Sequence, residues 1–309
     1  MLALMKFPIG RLLFYAAVAA LPACGVAERV GVGLLADRAK LPPAQIIRNL
    51  SYDASGGFER SLDLYLPTTH NAPVLIFVHG GGWDTGDKDL RAGNLDVYGN
   101  IGRFYATRGI ATAVINYRLQ PKAKWREQAE DVAHAVAWVR ENIAQHGGDP
   151  QRIFLMGHSA GAQLASLVAL NQGLQTAAGI PAGTIKGLIA ASGAALDLLD
   201  EQTYITEDPR YYEKRFGPRT DRAEWAAASP ITHADETDPP VLVMCATGES
   251  PGLQRQAQKF FETLQGIGIK TRLVKIKGES HARMVLVLSH PKKAAVPAIL
   301  HFIETGSPQ

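Results

Sequence analysis

Residues 151–170 read QRIFLMGHSAGAQLASLVAL, and the folding of this stretch decides the architecture of the chain. RIFLM is an apolar run of strand length. AQLASLVAL is rich in small and helix-forming residues. Between them stands GHSAG, a Gly-x-Ser-x-Gly turn at 157–161. A turn that abrupt holds its central residue in a strained backbone geometry, and only small flanking residues leave room for it. Gly157 and Gly161 let the helix approach the strand closely. The Ser159 hydroxyl then stands clear at the carboxyl edge of a sheet, with a helix N-terminus aimed at developing negative charge.

The pattern repeats on either side. APVLIFV, IATAVINY, TIKGLIAASGA and PPVLVMCAT are further apolar strands, and IKTRLVKIKG reads as the next strand. Between them lie helical stretches, most clearly KWREQAEDVAHAVAWVRENIAQHGG. There Val132, Val136, Val139 and Ile143 share one face and the Gly pair ends the helix. A last helix is expected across 292–305. Upstream, AQIIRNLSYD and ERSLDLYLP read as two strands around the turn ASGG. Apolar strands alternating with helices predict an α/β fold, a mostly parallel sheet covered on both faces. Residues 197–239 are long for a loop and predict a lid-like insertion. Its aromatics Tyr204, Tyr211, Tyr212, Phe216 and Trp225 either line an apolar pocket or form the lid's own core.

The chain has 309 residues, 46% of them hydrophobic, which is enough for one large core. The net charge is only +3, and no basic stripe interleaved with aromatics appears, so nothing points to a nucleic-acid partner and none is expected. The N-terminus, MLALMKFPIGR followed by LLFYAAVAALPAC, reads as a targeting segment whose apolar run is too short for a stable membrane span. LPAC resembles a bacterial lipobox, which implies acylation at Cys24. The expected organisation is therefore a signal segment at 1–23, a linker at 24–44 and one domain at 45–309. The expected location is outside the cytoplasm, periplasmic or anchored to a membrane through the Cys24 lipid. Cys245 sits in an apolar strand, as a small buried hydrophobe does. No metal-ligand spacing occurs, and no cofactor is implied.

A second motif, HGGGW at 79–83, follows the APVLIFV strand. Its glycines expose backbone N–H groups of the kind that a tetrahedral oxyanion needs. Together HGGGW, NYRL and GHSAG resemble the α/β-hydrolase superfamily, in its hormone-sensitive-lipase-like branch. The nearer resemblance is to small carboxylesterases, kynurenine formamidases and prenylcysteine methylesterases. It covers roughly residues 45–305. It implies Ser159 as nucleophile and the N–H groups of Gly81, Gly82 and Ala160 as the oxyanion hole. His79 would shape that loop rather than act as base. Trp83 and His158 are expected beside the substrate.

The base should come last in chain order, on a loop after the final strands, which points to His281 in KIKGESHARM. The acid that orients it has several candidates. Glu249 follows the strand VLVMCAT, where Asp is more usual, and precedes Ser-Pro as in the formamidase-like pattern. Asp197 follows the preceding strand. Asp235 and Asp238 lie before a strand, at the wrong sheet edge. Glu249 is favoured. The expected activity is hydrolysis of a small carboxylic ester through an acyl-enzyme. The alternatives are an arylformamidase-type amidase acting on N-formylkynurenine-like aryl amides, and a binding protein on an inactive hydrolase scaffold.

Overall fold

A computed structural model describes residues 39–42, 45–92 and 95–309. Cys24, with the whole expected signal segment and most of the linker, lies outside the described residues. Eight strands form one sheet. They are β1 (Ile46–Ser51), β2 (Ser61–Tyr65), β3 (Ala72–Val78), β6 (Ala111–Ile115), β7 (Gly148–His158), β8 (Ile185–Ala191), β9 (Val241–Ala246) and β10 (Thr271–Ile276). Two short strands, β4 (Arg91–Ala92) and β5 (Leu95–Asp96), pair separately. The sheet order is β1-β2-β6-β3-β7-β8-β9-β10. β1, β2 and β6 pair antiparallel, and every pairing from β6 through β10 is parallel.

The inner strands read as continuous apolar runs because both faces are buried. Along β3, Val74, Ile76 and Val78 point into one core while Leu75 and Phe77 point into the other. Val243 and Cys245 of β9 take the first side, Leu242 and Met244 the second. The first core is covered by α2 (Trp125–Asn142), α3 (Ala160–Leu170) and α7 (Pro251–Gly266). The second is covered by α1 (Val97–Ala106), α8 (His281–Val287) and α9 (Ala295–Thr305). A short helix, α4 (Gln172–Ala177), follows α3. The helix expected to run to the Gly pair ends at Asn142. A tighter 3₁₀ turn, Ile143–His146, carries the chain to left-handed Gly147 (φ 83°).

The 197–239 stretch is not a bare loop. It holds a 3₁₀ turn (Glu201–Ile205), α5 (Pro209–Phe216), α6 (Arg222–Ala228) and a second 3₁₀ turn (Pro230–Thr232). Asp208 caps α5 ahead of Pro209, and Asp221 caps α6. Tyr212, Phe216 and Trp225 are buried, and Phe216 meets Trp83 edge-on at 4.9 Å. These aromatics therefore form a core joining the lid to the body. Among the described residues no helix is long and apolar enough to cross a membrane.

Candidate active site

Four parallel strands deliver loops to one sheet edge, their carboxyl ends: β3 gives HGGGW, β7 gives the Ser159 turn, β9 gives 247–250 and β10 gives 277–281. Ligands meet open α/β sheets at this edge.

Ser159 has φ 56° and ψ −121°, a conformation that L-residues rarely adopt. Its neighbours explain how it is held. A Cβ on Gly157 would collide with the Gly161 backbone, and one on Gly161 with the carbonyl oxygens of Val78 and His79. The Ser159 N–H donates to Ala191 O of β8 at 3.1 Å. α3 starts at Ala160, so its N-terminus faces the hydroxyl.

His281 Nε2 lies 2.8 Å from Ser159 Oγ. His281 was expected on a loop, but it is the first residue of α8, with Ser280 as N-cap accepting from Arg283 N. Its carbonyl is held by His158 Nε2 at 3.0 Å. Burial, and then the neighbouring His281, push the His158 imidazole down to about 3. It is therefore neutral, and its Nε2–H is the donor to that carbonyl. His158 buttresses the His281 backbone.

Glu249 Oε1 lies 3.3 Å from His281 Nδ1, and the Glu249 side chain is wholly buried. The pair stands at ion-pair distance but short of an aligned hydrogen bond, and neither carboxylate oxygen has another hydrogen-bond partner. Asp197 points elsewhere: its carboxylate meets Lys259 Nζ at 2.6 Å and accepts from Leu199 N at 2.9 Å. Asp235 and Asp238 close a turn before β9, at the opposite edge. A further carboxyl carries no signal in the sequence. Glu207 from the lid is buried, and its Cγ and Oε1 pack against Gly252 at the start of α7. Burial raises its proton affinity.

The glycine loop is held through its carbonyls. His79, pushed down to about 4 by burial, is neutral and donates from Nδ1 to Gly80 O at 2.7 Å. Gly81 O accepts from Thr85 N (3.0 Å) and Thr85 Oγ1 (2.7 Å). Gly82 O accepts from Arg215 Nε of the lid at 2.6 Å. In a trans peptide the N–H points opposite to the carbonyl, so anchoring Gly80 O and Gly81 O aims the Gly81 and Gly82 N–H groups. Gly81 (φ 132°) and Gly82 (φ 61°) both need glycine's freedom.

Trp83 corrects an expectation. It has no exposed surface (0%) with which to meet a substrate. Its indole donates to Gln163 Oε1 at 2.9 Å, and Gln163 in turn donates to Ala228 O. It anchors the glycine loop to α3 and the lid. His158, 6% exposed and committed to the His281 carbonyl, is likewise a support. Lys88 is buried, with Nζ 2.9 Å from Asp63 Oδ1, and Asp131 binds Arg118 of the NYRL segment by two side-chain bonds and one backbone bond. Among the described residues no group of three or more His, Cys, Asp or Glu gathers as a metal site.

The BD-FAE family model matches residues 62–264. The chain is 30% identical over 262 residues to a protein of Oryza sativa subsp. japonica named probable isoprenylcysteine alpha-carbonyl methylesterase ICMEL1, covering 79% of this chain and 58% of that one. It is 31% identical to esterase LipQ of Mycobacterium tuberculosis, covering 70% of this chain and 52% of that one. The chain thus spans little more than half the length of these curated relatives. Among solved structures, it resembles esterase B from Lactobacillus rhamnosis with a TM-score of 0.72 at 22% identity, covering 94% of this chain and 93% of that one. It also resembles an esterase from Pyrobaculum calidifontis with a TM-score of 0.69 at 20% identity, covering 96% and 97%.

Proposed function

The chain belongs to the BD-FAE family and has the α/β-hydrolase fold, and from that premise we propose that it is a serine hydrolase cleaving small carboxylic esters through an acyl-enzyme. One observation carries the proposal: Ser159, strained at φ 56°, presents Oγ 2.8 Å from His281 Nε2. Ser159 Oγ attacks the ester carbonyl as His281 takes its proton. The oxyanion is met by the N–H groups of Gly81, Gly82 and Ala160. The intermediate collapses, and His281 returns the proton to the departing alcohol. Water, deprotonated by His281, then attacks the acyl-enzyme and releases the acid and Ser159. Glu249 holds the imidazole in the required tautomer and stabilises its charged form.

Esters are favoured over aryl amides because the relatives named above are ester hydrolases. Lipid attachment at Cys24 after export stays part of the proposal, on the LPAC sequence alone. Mass spectrometry of the mature N-terminus tests it, and an unmodified Cys24 would refute it. The catalytic reading is tested with short p-nitrophenyl esters beside N-formylkynurenine. Wild-type protein should turn over the esters faster, and Ser159→Ala should lose activity on both. Full ester turnover by Ser159→Ala would overturn the mechanism, and preference for the formamide would overturn the substrate class.

A further inference from the structure

Gly82 sits at φ 61° next to Gly81 at φ 132°. Neither residue has a side chain to brace it, so the direction of the Gly82 N–H depends on what holds the peptides on either side. The peptide before Gly82 is fixed through Thr85 on Gly81 O. The peptide after it is fixed by a residue of the lid. Arg215 of α5 donates from Nε to Gly82 O at 2.6 Å and from Nη2 to Asp84 Oδ2 at 2.5 Å. One guanidinium therefore spans two points of the loop. Its side chain is only 7% exposed, and the Asp84 side chain is 30% exposed.

Arg215 is itself fixed. Its guanidinium lies 3.8 Å over the Tyr211 ring, and its Nη1 donates to Tyr211 O at 2.9 Å. Its own carbonyl accepts from Gln120 Nε2 at 3.1 Å. The Tyr211 hydroxyl stands where a Cβ of Gly82 would go. A planar fork of this kind holds two acceptors at a set angle, and a lysine ammonium cannot reproduce it.

We infer that Arg215, carried by the lid, is a positioning residue that sets the oxyanion loop through Gly82 and Asp84. The inference rests on the serine-hydrolase reading above. The lid on this view is a working part of the oxyanion site and not merely a cover. Arg215 does not touch the reacting atoms. It acts by fixing the backbone that does.

The test compares wild type with Arg215→Met, Arg215→Lys and Asp84→Asn. Four quantities are read: kcat and KM on a short p-nitrophenyl ester, inhibition by a trifluoromethyl ketone, and inhibition by the matching methyl ketone. The trifluoromethyl ketone adds to the serine and forms an oxyanion, whereas the methyl ketone reports ground-state binding. Losing one oxyanion donor outright costs about 10²–10³ in kcat, so loosening one should cost about tenfold to hundredfold. Arg215→Met should show that loss in kcat, with KM nearly unchanged. Trifluoromethyl ketone affinity should fall by the same factor, and methyl ketone affinity should hold. Arg215→Lys should recover only part of the loss. Asp84→Asn, which leaves the Gly82 bond in place, should show the same pattern at smaller size and carries the test if Arg215→Met does not fold.

Wild-type kcat in folded Arg215→Met would overturn the inference. So would wild-type kcat in both Arg215→Lys and Asp84→Asn, or a loss confined to KM and methyl ketone binding. Labelling of wild type by a fluorophosphonate separates the two readings. Without a Ser159 adduct both fall; with one, an unchanged kcat removes only the role of Arg215.

Discussion

Neutralising Glu249 gives the sharpest check on the proton relay. Glu249 Oε1 stands 3.3 Å from His281 Nδ1 in a pocket that buries the carboxylate completely. At an effective dielectric of about 20, a unit charge pair at that distance is worth about 5 kcal/mol. That energy is available only when His281 is protonated, which in the proposed mechanism happens as Ser159 attacks. Glu249→Gln keeps the side-chain size and removes the charge. With about 1.4 kcal/mol per tenfold, kcat should fall about 10³-fold, somewhat less than the Coulomb figure because the contact is not an aligned hydrogen bond.

Glu249→Asp sets a graded comparison. Removing one carbon draws the carboxylate back by about 1.5 Å and leaves about 3.5 kcal/mol, so kcat should fall only about tenfold. Asp197→Asn breaks a contact to Lys259, whose side chain is 37% exposed. Such a pair contributes about 0–1 kcal/mol to stability, and kcat should stay within about twofold. The assay is steady-state hydrolysis of a p-nitrophenyl ester, with melting temperature as the control for folding. Neither Glu249 oxygen has a hydrogen-bond partner to lose, so Tm should move by no more than about 4 °C. A folded Glu249→Gln variant within tenfold of wild type would refute the assignment. If Asp197→Asn were then the crippled variant, the acid would belong at the end of β8.

Other outcomes follow from the packing. Burial holds the His79 imidazole at about 4 and His158 at about 3, below the usual 6.5 or so of an unfolded chain. The unfolded state therefore binds more protons, and stability present above pH ~6.5 should drain away as the pH falls towards those values. Calorimetry from pH 7 to 4.5 should show His158→Gln losing less, by about 1.4 kcal/mol per pH unit; an identical slope would contradict the buried neutral His158. Trp83→Phe removes the indole bond to Gln163 at 2.9 Å. It should cost about 1–3 kcal/mol in denaturant unfolding with KM nearly unchanged, and a large KM change with unaltered stability would restore Trp83 to the substrate. Gly161→Ala drives a Cβ into the carbonyls of Val78 and His79. It should cost about 3 kcal/mol or more or leave no soluble protein, and a wild-type Tm would contradict the close helix-strand packing.

The parallel sheet was legible because its inner strands are apolar on both faces. The Ser159 turn was legible because steric demand restricts Gly157 and Gly161 to residues without a Cβ. Chain order led to His281 and to Glu249, which the structure brings to one side of Ser159. The lid helices were within reach: Asp208-Pro209 and Asp221 are cap signals that a reading for apolar periodicity passes over. The start of α8 is signalled by Ser280 ahead of an apolar run, although the helix is only seven residues long and follows directly on the strand-end turn. Arg215 and Trp83 were not legible in the same way. Their partners, Gly82 and Gln163, are 133 and 80 positions away. No local pattern marks an arginine that grips a distant carbonyl, or tells an aromatic in a glycine motif whether it will face substrate or core.

The central claim is that Ser159 is a nucleophile made reactive by His281. Intact-mass and peptide mass spectrometry after incubation with a fluorophosphonate test it directly. The account predicts a single adduct on Ser159, absent from Ser159→Ala and strongly slowed in His281→Ala. An unlabelled wild-type protein, or an adduct on another residue while Ser159 stays unmodified, would contradict it.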